Sequence, residues 1–210
     1  MQTERSNKIR RVVPSFIIIF GLLLIIASVV VYTQPWDKGA SEEVIEGNIT
    51  LIGVNYEQKV LSYDEIKALP YYEGDGGFFT TVGVINGPFR VRGVPITDLC
   101  ELVGGVTPVD VVFVSAEDGY SMVFSYEQIM GEFDTYDPET MRIVPHGEQK
   151  LLLAYEIDGK PFRKEDGRPF RLALVGTDRL LVEGHNWVKW VVKIEVMPIK
   201  TADNTAGTGA

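Results

Sequence analysis

The sequence is poor in the residues from which many active sites are built. Of its 210 residues, one is a cysteine, Cys100, and two are histidines, His146 and His185. A single cysteine excludes an internal disulfide, and two histidines in separate loops do not form a metal cluster. The chain also lacks the C-x-x-C-H motif of covalent haem attachment, the G-x-S-x-G motif of hydrolases and a phosphate-binding loop. These absences exclude a covalently attached haem, the hydrolases that carry the G-x-S-x-G motif and the nucleotide-binding enzymes that carry a phosphate-binding loop.

Positive charge is scarce beyond the first 32 residues. Residues 33–210 contain 16 lysines and arginines against 28 aspartates and glutamates. Such an acidic surface repels phosphate backbones, so we expect no nucleic acid partner. An anionic ligand would need a local group of cations within this acidic part of the chain.

A long apolar run lies near the amino terminus. Residues 12–32 contain no charged side chain, and a helix of this length spans about 30 Å, the thickness of a bilayer's hydrocarbon core. Four basic residues precede the run, and acidic residues follow it. The positive-inside rule therefore predicts a cytoplasmic segment at 1–11, a single-pass anchor in the cell membrane at 12–32, and an extracytoplasmic domain. A cleaved signal peptide is the alternative.

The rest of the chain is predicted to form one domain with polar attachments. Residues 33–46 are predicted to be a linker, and residues 199–210 a disordered tail. The domain between them, residues 47–198, is long enough to form a hydrophobic core without disulfides.

Short apolar runs separated by turn residues predict an α+β domain rich in strands. Capping boxes at Ser62–Glu65 and Ser125–Gln128 predict two helix starts, and Pro95 opens another helix, on which Cys100 is a core residue. Residues 71–77 are predicted to be a loop, and residues 131–150 a surface insertion. The predicted strands are 49–54, 78–85, 109–115, 120–124, 151–155, 170–175 and 187–196.

Residues 151–196 carry three linked motifs. They read L-A-Y-E-x-x-G-x-P, then G-x-P-x-R-L, then V-K-W-x-x-x-I-E. In this order they resemble the molybdopterin-binding domain of the sulfite oxidase family, and the resemblance extends upstream to about residue 47. It implies a β-rich mixed-sheet fold with short helices, molybdopterin with molybdenum or tungsten, and oxygen-atom transfer on a small oxyanion or sulfoxide. A membrane electron-transfer partner is also implied.

The resemblance implies a set of site residues. Arg171 and Lys189 map onto the cofactor-binding motifs of the family, and Tyr120 onto a tyrosine that faces the metal. Arg90 and Arg92 precede the helix opened by Pro95 and are candidates for the same cleft. The alternative for the four cations is ordinary solvated surface charge, and for Tyr120 an aromatic cap on a strand edge. The segment 183–186, which contains His185, is a weaker candidate.

The sequence departs from the family pattern at the metal ligand. The family has a cysteine thiolate where this chain has Thr81, and a neutral hydroxyl is a poor ligand for a high-valent metal. No protein ligand to a metal is therefore predicted. Two functions stay open: a molybdopterin-dependent oxidoreductase, or a non-catalytic binding or interaction module that kept the fold. An unrelated β-rich extracellular domain is a third possibility.

Overall fold

The computed structural model describes residues 45–199. The predicted cytoplasmic segment at 1–11 and the predicted anchor at 12–32 lie outside the described residues, as do nearly all of the predicted linker and tail. Among residues 45–199, no helix is both long and apolar enough to cross a membrane.

The described residues form strands and a few short helices. The helices are α1 (Tyr63–Ala68), α2 (Ile96–Glu101) and α3 (Tyr126–Ile129), with 3₁₀ turns at Lys164–Asp166 and Gly184–Asn186. The strands are β1 (Asn48–Ile52), β2 (Gln58–Ser62), β3 (Tyr72–Phe79), β4 (Ile85–Pro95), β5 (Asp110–Ala116), β6 (Ser121–Ser125), β7 (Thr135–Tyr136), β8 (Ile143–Val144), β9 (Gln149–Ile157), β10 (Lys160–Pro161), β11 (Arg171–Gly176), β12 (Leu181–Glu183) and β13 (Val191–Pro198).

The strands form two mixed sheets. The first has the order β2-β1-β13-β5-β6, in which β1 and β13 are parallel and the other neighbours antiparallel. The second has the order β10-β9-β11-β3-β12-β7-β8, in which β12 and β3 are parallel, and β4 pairs with both β3 and β9. This arrangement confirms the predicted β-rich α+β domain with mixed sheets and short helices.

The core lies around strands β9 and β11. All six residues of β11 are buried, and β9 is buried from Leu151 to Tyr155. Strands buried on both faces need continuous apolar runs rather than alternating ones, which is why these two segments were recognisable in the sequence. Helix α2 packs Ile96, Leu99 and Cys100 into the same core.

Local hydrogen bonds fix the starts of α1 and α3. The Ser62 hydroxyl accepts from the Glu65 N–H, while the Glu65 carboxylate accepts from the Ser62 N–H at 2.8 Å. Ser125 and Gln128 form the same reciprocal pair. Both predicted capping boxes are therefore confirmed.

Some of the predicted segments were wrong. Residues 80–84 of the predicted strand at 78–85 form the turn between β3, which ends at Phe79, and β4, which begins at Ile85. The predicted strand at 187–196 begins only at Val191, and the predicted loop at 71–77 is most of β3. The glycines of this segment favoured a loop, but a Cβ on Gly76 would collide with the Leu174 carbonyl. Glycine is needed there so that β3 and β11 can approach closely.

Residues 131–150 are not only a surface insertion. They contribute β7, β8 and the start of β9 to the second sheet. Thr135 is buried, and its hydroxyl donates to the Val144 carbonyl at 2.8 Å. Pairing between these short strands was invisible in the sequence because each has only two residues.

Candidate functional site

A cavity of about 640 Å³ opens where three distant segments meet. The end of β3 and the following turn supply one wall, through residues 78–81. The turn between β5 and β6 supplies Asp118 and Tyr120, and residues 183–190 complete the lining, apart from Asn186. Its volume lies within the range of small-molecule and cofactor sites.

The cavity has an aromatic floor and a polar rim. Trp187 and Val188 are each only 2% exposed, and the ring centroids of Trp187 and Phe78 are 5.0 Å apart. Thr81 and Tyr120 lie at the rim, where Tyr120 is 45% exposed. A planar ring system would find aromatic surfaces to pack against on this floor.

Trp190 forms a fixed wall of the cavity. Its φ of 51° lies in the left-handed region, which is a genuine outlier for a bulky residue. The indole Nε1 donates to the Lys164 carbonyl at 2.7 Å, and the Trp190 carbonyl accepts from the Glu117 N–H at 2.8 Å. The first bond holds the ring and the second the backbone of Trp190, which also lines a second recess with Glu117 and Asp118.

Lys189 lines the cavity and is held by the turn at residues 164–167. Its Nζ donates to the Glu165 carbonyl at 2.8 Å and lies 3.8 Å from an Asp166 carboxylate oxygen. Gly167, at a φ of 105°, packs so closely that a Cβ there would lie 3.1 Å from the Lys189 Cα. The backbone of Lys189 is therefore closely packed, and one of the three N–H donors of its ammonium group is already used.

Arg171 lies behind the cavity floor. It is only 4% exposed, and its guanidinium group contacts the rings of Phe78, Phe162 and Trp187. Nη1 donates to the Asp166 carbonyl at 3.1 Å and Nη2 to the Trp187 carbonyl at 3.2 Å. Burial lowers the pKa of Arg171 to about 10, so the group stays charged at neutral pH.

Two buried donors beside the floor have no partner within the described part of the chain. They are Arg171 Nε and Trp187 Nε1. Buried polar groups are normally satisfied, so each of these donors is a place where a buried water would be stabilised.

Arg90 and Arg92 do not line the cavity in the described structure. Both lie on β4 and pair with Glu73, at 2.8 Å and 2.6 Å. These bonds lower the pKa of the Glu73 carboxyl, with the hydrogen bond from Arg90 as the largest cause. Arg92 also lies 3.4 Å from Glu156. The two arginines thus serve an ion-pair network on strands β3, β4 and β9, and the shared cleft predicted for them is not seen.

The cavity offers no sulfur ligand from the described residues. Cys100 is 1% exposed on α2, and burial raises the pKa of its thiol to about 12. Among residues 45–199 there is also no group of three or more His, Cys, Asp and Glu side chains suited to a metal ion.

Of the predicted site residues, the structure brings Thr81, Tyr120 and Lys189 to one cavity, with Arg171 behind its floor. His185, the weaker candidate, also lines it, and its Nδ1 lies 3.1 Å from a Glu183 carboxylate oxygen. Sequence reasoning missed Asp118, Trp187 and Trp190. The available signal was their position: Asp118 lies two residues before Tyr120, Trp187 directly precedes the V-K-W motif, and Trp190 ends it.

The lining fits the organic part of molybdopterin. The floor suits a pterin ring, and the Lys189 ammonium group suits the acceptor atoms of an anionic cofactor. For the metal, the lining supplies the Thr81 hydroxyl in place of a thiolate.

Comparisons with known proteins agree with this assignment. The chain is 24% identical over 130 residues to "Uncharacterized oxidoreductase YuiH" of Bacillus subtilis (strain 168), which covers 62% of this chain and 57% of that protein. The fold is similar to that of the sulfane dehydrogenase SoxCD from Paracoccus pantotrophus, with a TM-score of 0.56 and 18% identity over 72% of this chain and 38% of that one. The chain thus spans just over half of the first protein and well under half of the second. The family model described as "Oxidoreductase molybdopterin binding domain" matches residues 80–204, and the chain therefore belongs to that family.

Proposed function

We propose that the cavity binds molybdopterin and that the chain acts as an oxidoreductase through it. The observation that carries this proposal is the meeting of Thr81, Tyr120 and Lys189, from three separate parts of the sequence, at one cavity of about 640 Å³. Membership of the molybdopterin-binding family supports the choice of cofactor.

The residues of the cavity have distinct roles in this proposal. The pterin ring packs on the aromatic floor formed by Phe78 and Trp187. Lys189 offers its ammonium group to the phosphate end. Arg171 has a supporting role behind the cavity floor. Its guanidinium group donates to the carbonyls of Asp166 and Trp187, and these bonds fix the two segments around Lys189.

Molybdopterin, when bound with molybdenum or tungsten, supplies two dithiolene sulfurs to the metal and the capacity for oxygen-atom transfer. Tyr120 contributes a phenolic O–H at the rim, where it can donate to an oxygen of the substrate. The substrate proposed from the family resemblance is a small oxyanion or a sulfoxide.

The experiment that tests cofactor binding uses the full chain, produced in a host that makes the cofactor. Bound pterin is measured by fluorescence after release and oxidation, and molybdenum and tungsten by elemental analysis. We expect stoichiometric pterin in the wild type and a several-fold loss in Lys189→Ala. Lys160→Ala, an exposed lysine on β10 away from the cavity, is the matched control. Folded wild-type protein without pterin would reject the proposal.

A non-catalytic binding module is the second candidate. It is favoured by one observation, the Thr81 hydroxyl at the rim with Cys100 buried in the core. The elemental analysis separates the two functions, since pterin without metal favours the module and stoichiometric metal favours the enzyme. Thr81→Cys restores a thiol, so a rise in metal content in that variant would show that only the ligand had been lost. If its cofactor content stays at zero, the cavity itself is unsuitable.

We further propose that residues 12–32 anchor the chain in the cell membrane, with residues 1–11 in the cytoplasm and the domain outside, where it meets a membrane electron-transfer partner. The support is the apolar run and the basic residues before it. Protease treatment of intact cells should remove the domain and leave a short membrane-bound fragment. A domain that is protected in intact cells and cleaved only after lysis would contradict this topology.

A further inference from the structure

The rim of the cavity carries two exposed carboxylates, those of Asp118 and Glu183. Asp118 accepts from the Tyr120 N–H at 3.0 Å, and Glu183 lies 3.1 Å from His185 Nδ1. The lining contains one lysine, Lys189. With His185 neutral, the two carboxylates outnumber this lysine, so the formal charge of the lining is negative.

The walls of the cavity are largely aromatic. Phe78, Phe79, Trp187 and Trp190 all line it, and residues 76–89, which include the first two, contain no ionisable side chain. An apolar group of a bound molecule would pack against these rings and be removed from water.

We propose that the cavity narrows the substrate of the proposed function to an uncharged or positively charged organic molecule with an apolar group, and that Asp118 and Glu183 disfavour the small oxyanion. A substrate presupposes a loaded cofactor, so this inference rests on the proposed function. The two carboxylates repel an anion and attract a cation, and they leave the binding of an uncharged molecule to the aromatic walls.

Three probes that share a phenyl ring test the selection directly. They are methyl phenyl sulfoxide, which is uncharged, benzyltrimethylammonium, a cation, and benzenesulfonate, an anion. Their affinities are measured by calorimetry with the full chain from the cofactor-producing host, at low ionic strength. We expect benzenesulfonate to bind about tenfold more weakly than the other two, and the difference to shrink in high salt.

Two double variants test whether the selection by charge arises from the carboxylates at the rim. Asp118→Asn with Glu183→Gln should raise the affinity for benzenesulfonate about tenfold and change that for methyl phenyl sulfoxide less than twofold. Glu57→Gln with Glu139→Gln removes the same number of charges at exposed positions outside the cavity lining, and should change neither affinity. Circular dichroism confirms that each variant is folded.

The inference is overturned if benzenesulfonate binds the wild type as tightly as the other probes, if none of the three binds, or if the rim variant behaves like its control. Pterin content is measured in the same preparations. Charge selection without pterin would overturn the proposed function alone, and pterin without charge selection would overturn this inference alone.

Discussion

The guanidinium carbon of Arg171 lies 5.1 Å from the centre of the Trp187 ring, and Nη2 of the same side chain donates to the Trp187 carbonyl. Arg171 thus holds both the side chain and the backbone of the residue that forms the cavity floor. It is a buried cation that orders the site from behind, on the far side of the floor from a bound ligand.

Replacing Arg171 should destabilise the domain. Arg171→Met keeps much of the buried volume but leaves the carbonyls of Asp166 and Trp187 without their donors. We expect a loss of about 2–4 kcal/mol in the free energy of unfolding, measured by denaturant titration. Arg163→Met, at a side chain that is 74% exposed, should change it by less than about 0.5 kcal/mol. Equal effects of the two substitutions would contradict the bridging role.

The two tryptophans of the cavity should respond differently to the loss of their indole N–H. Trp190→Phe removes the bond to the Lys164 carbonyl, and we expect it to cost about 1 kcal/mol of stability. Trp187→Phe removes a buried donor that has no protein partner in the described structure, so it leaves no carbonyl unpaired and costs only the packing of the lost ring. Denaturant unfolding of protein made without the cofactor measures both. An unchanged stability in Trp190→Phe would contradict the bond to the Lys164 carbonyl.

The thiol of Cys100 should be inert in the folded protein. Its burial in α2 excludes reagents and raises its pKa to about 12, so little thiolate exists at pH 8. We expect alkylation by iodoacetamide only after denaturation, followed by mass spectrometry. Thr81→Cys places a second thiol on the exposed rim, where it should react in the native state. Rapid native labelling of Cys100 would contradict its place in the core.

The same thiol predicts a pH dependence of stability. The pKa of the Cys100 thiol in the folded protein is raised above the unfolded value of about 8.5. Its contribution to the free energy of unfolding is therefore fully present below a pH of about 8.5 and is lost as the pH rises toward about 12. Unfolding free energies measured between pH 7 and 10.5 should fall more steeply for the wild type than for Cys100→Ala. Parallel curves would show that Cys100 ionises equally in both states.

The cofactor content of two variants should show that the cavity binds the cofactor and that the ion-pair network of β4 does not. Arg90→Gln with Arg92→Gln breaks pairs with Glu73 but touches no residue of the cavity lining. We expect its pterin content to match the wild type, whereas Lys189→Ala loses most of the cofactor. A comparable loss in the arginine variant would place a second cofactor contact on β4.

The helix starts and the buried strands of this chain could be predicted from the sequence because their causes are local. A capping box such as Ser62–Glu65 satisfies backbone groups within four residues. The apolar runs of β9 and β11 indicate strands buried on both faces, and Pro95 marks the start of α2. The order of the three motifs was enough to predict the family, which the match to residues 80–204 confirms.

Long-range packing decided what those features meant. Glycines in β3 suggested a loop until the approach of β11 showed why no side chain fits there. Arg90, Arg92, Arg171 and Lys189 were alike in the sequence as cations near motifs. Only the folded domain distinguishes the two that pair with Glu73, the one that supports the floor and the one that lines the cavity, because contacts between different strands and loops depend on strand pairing and not on sequence neighbours.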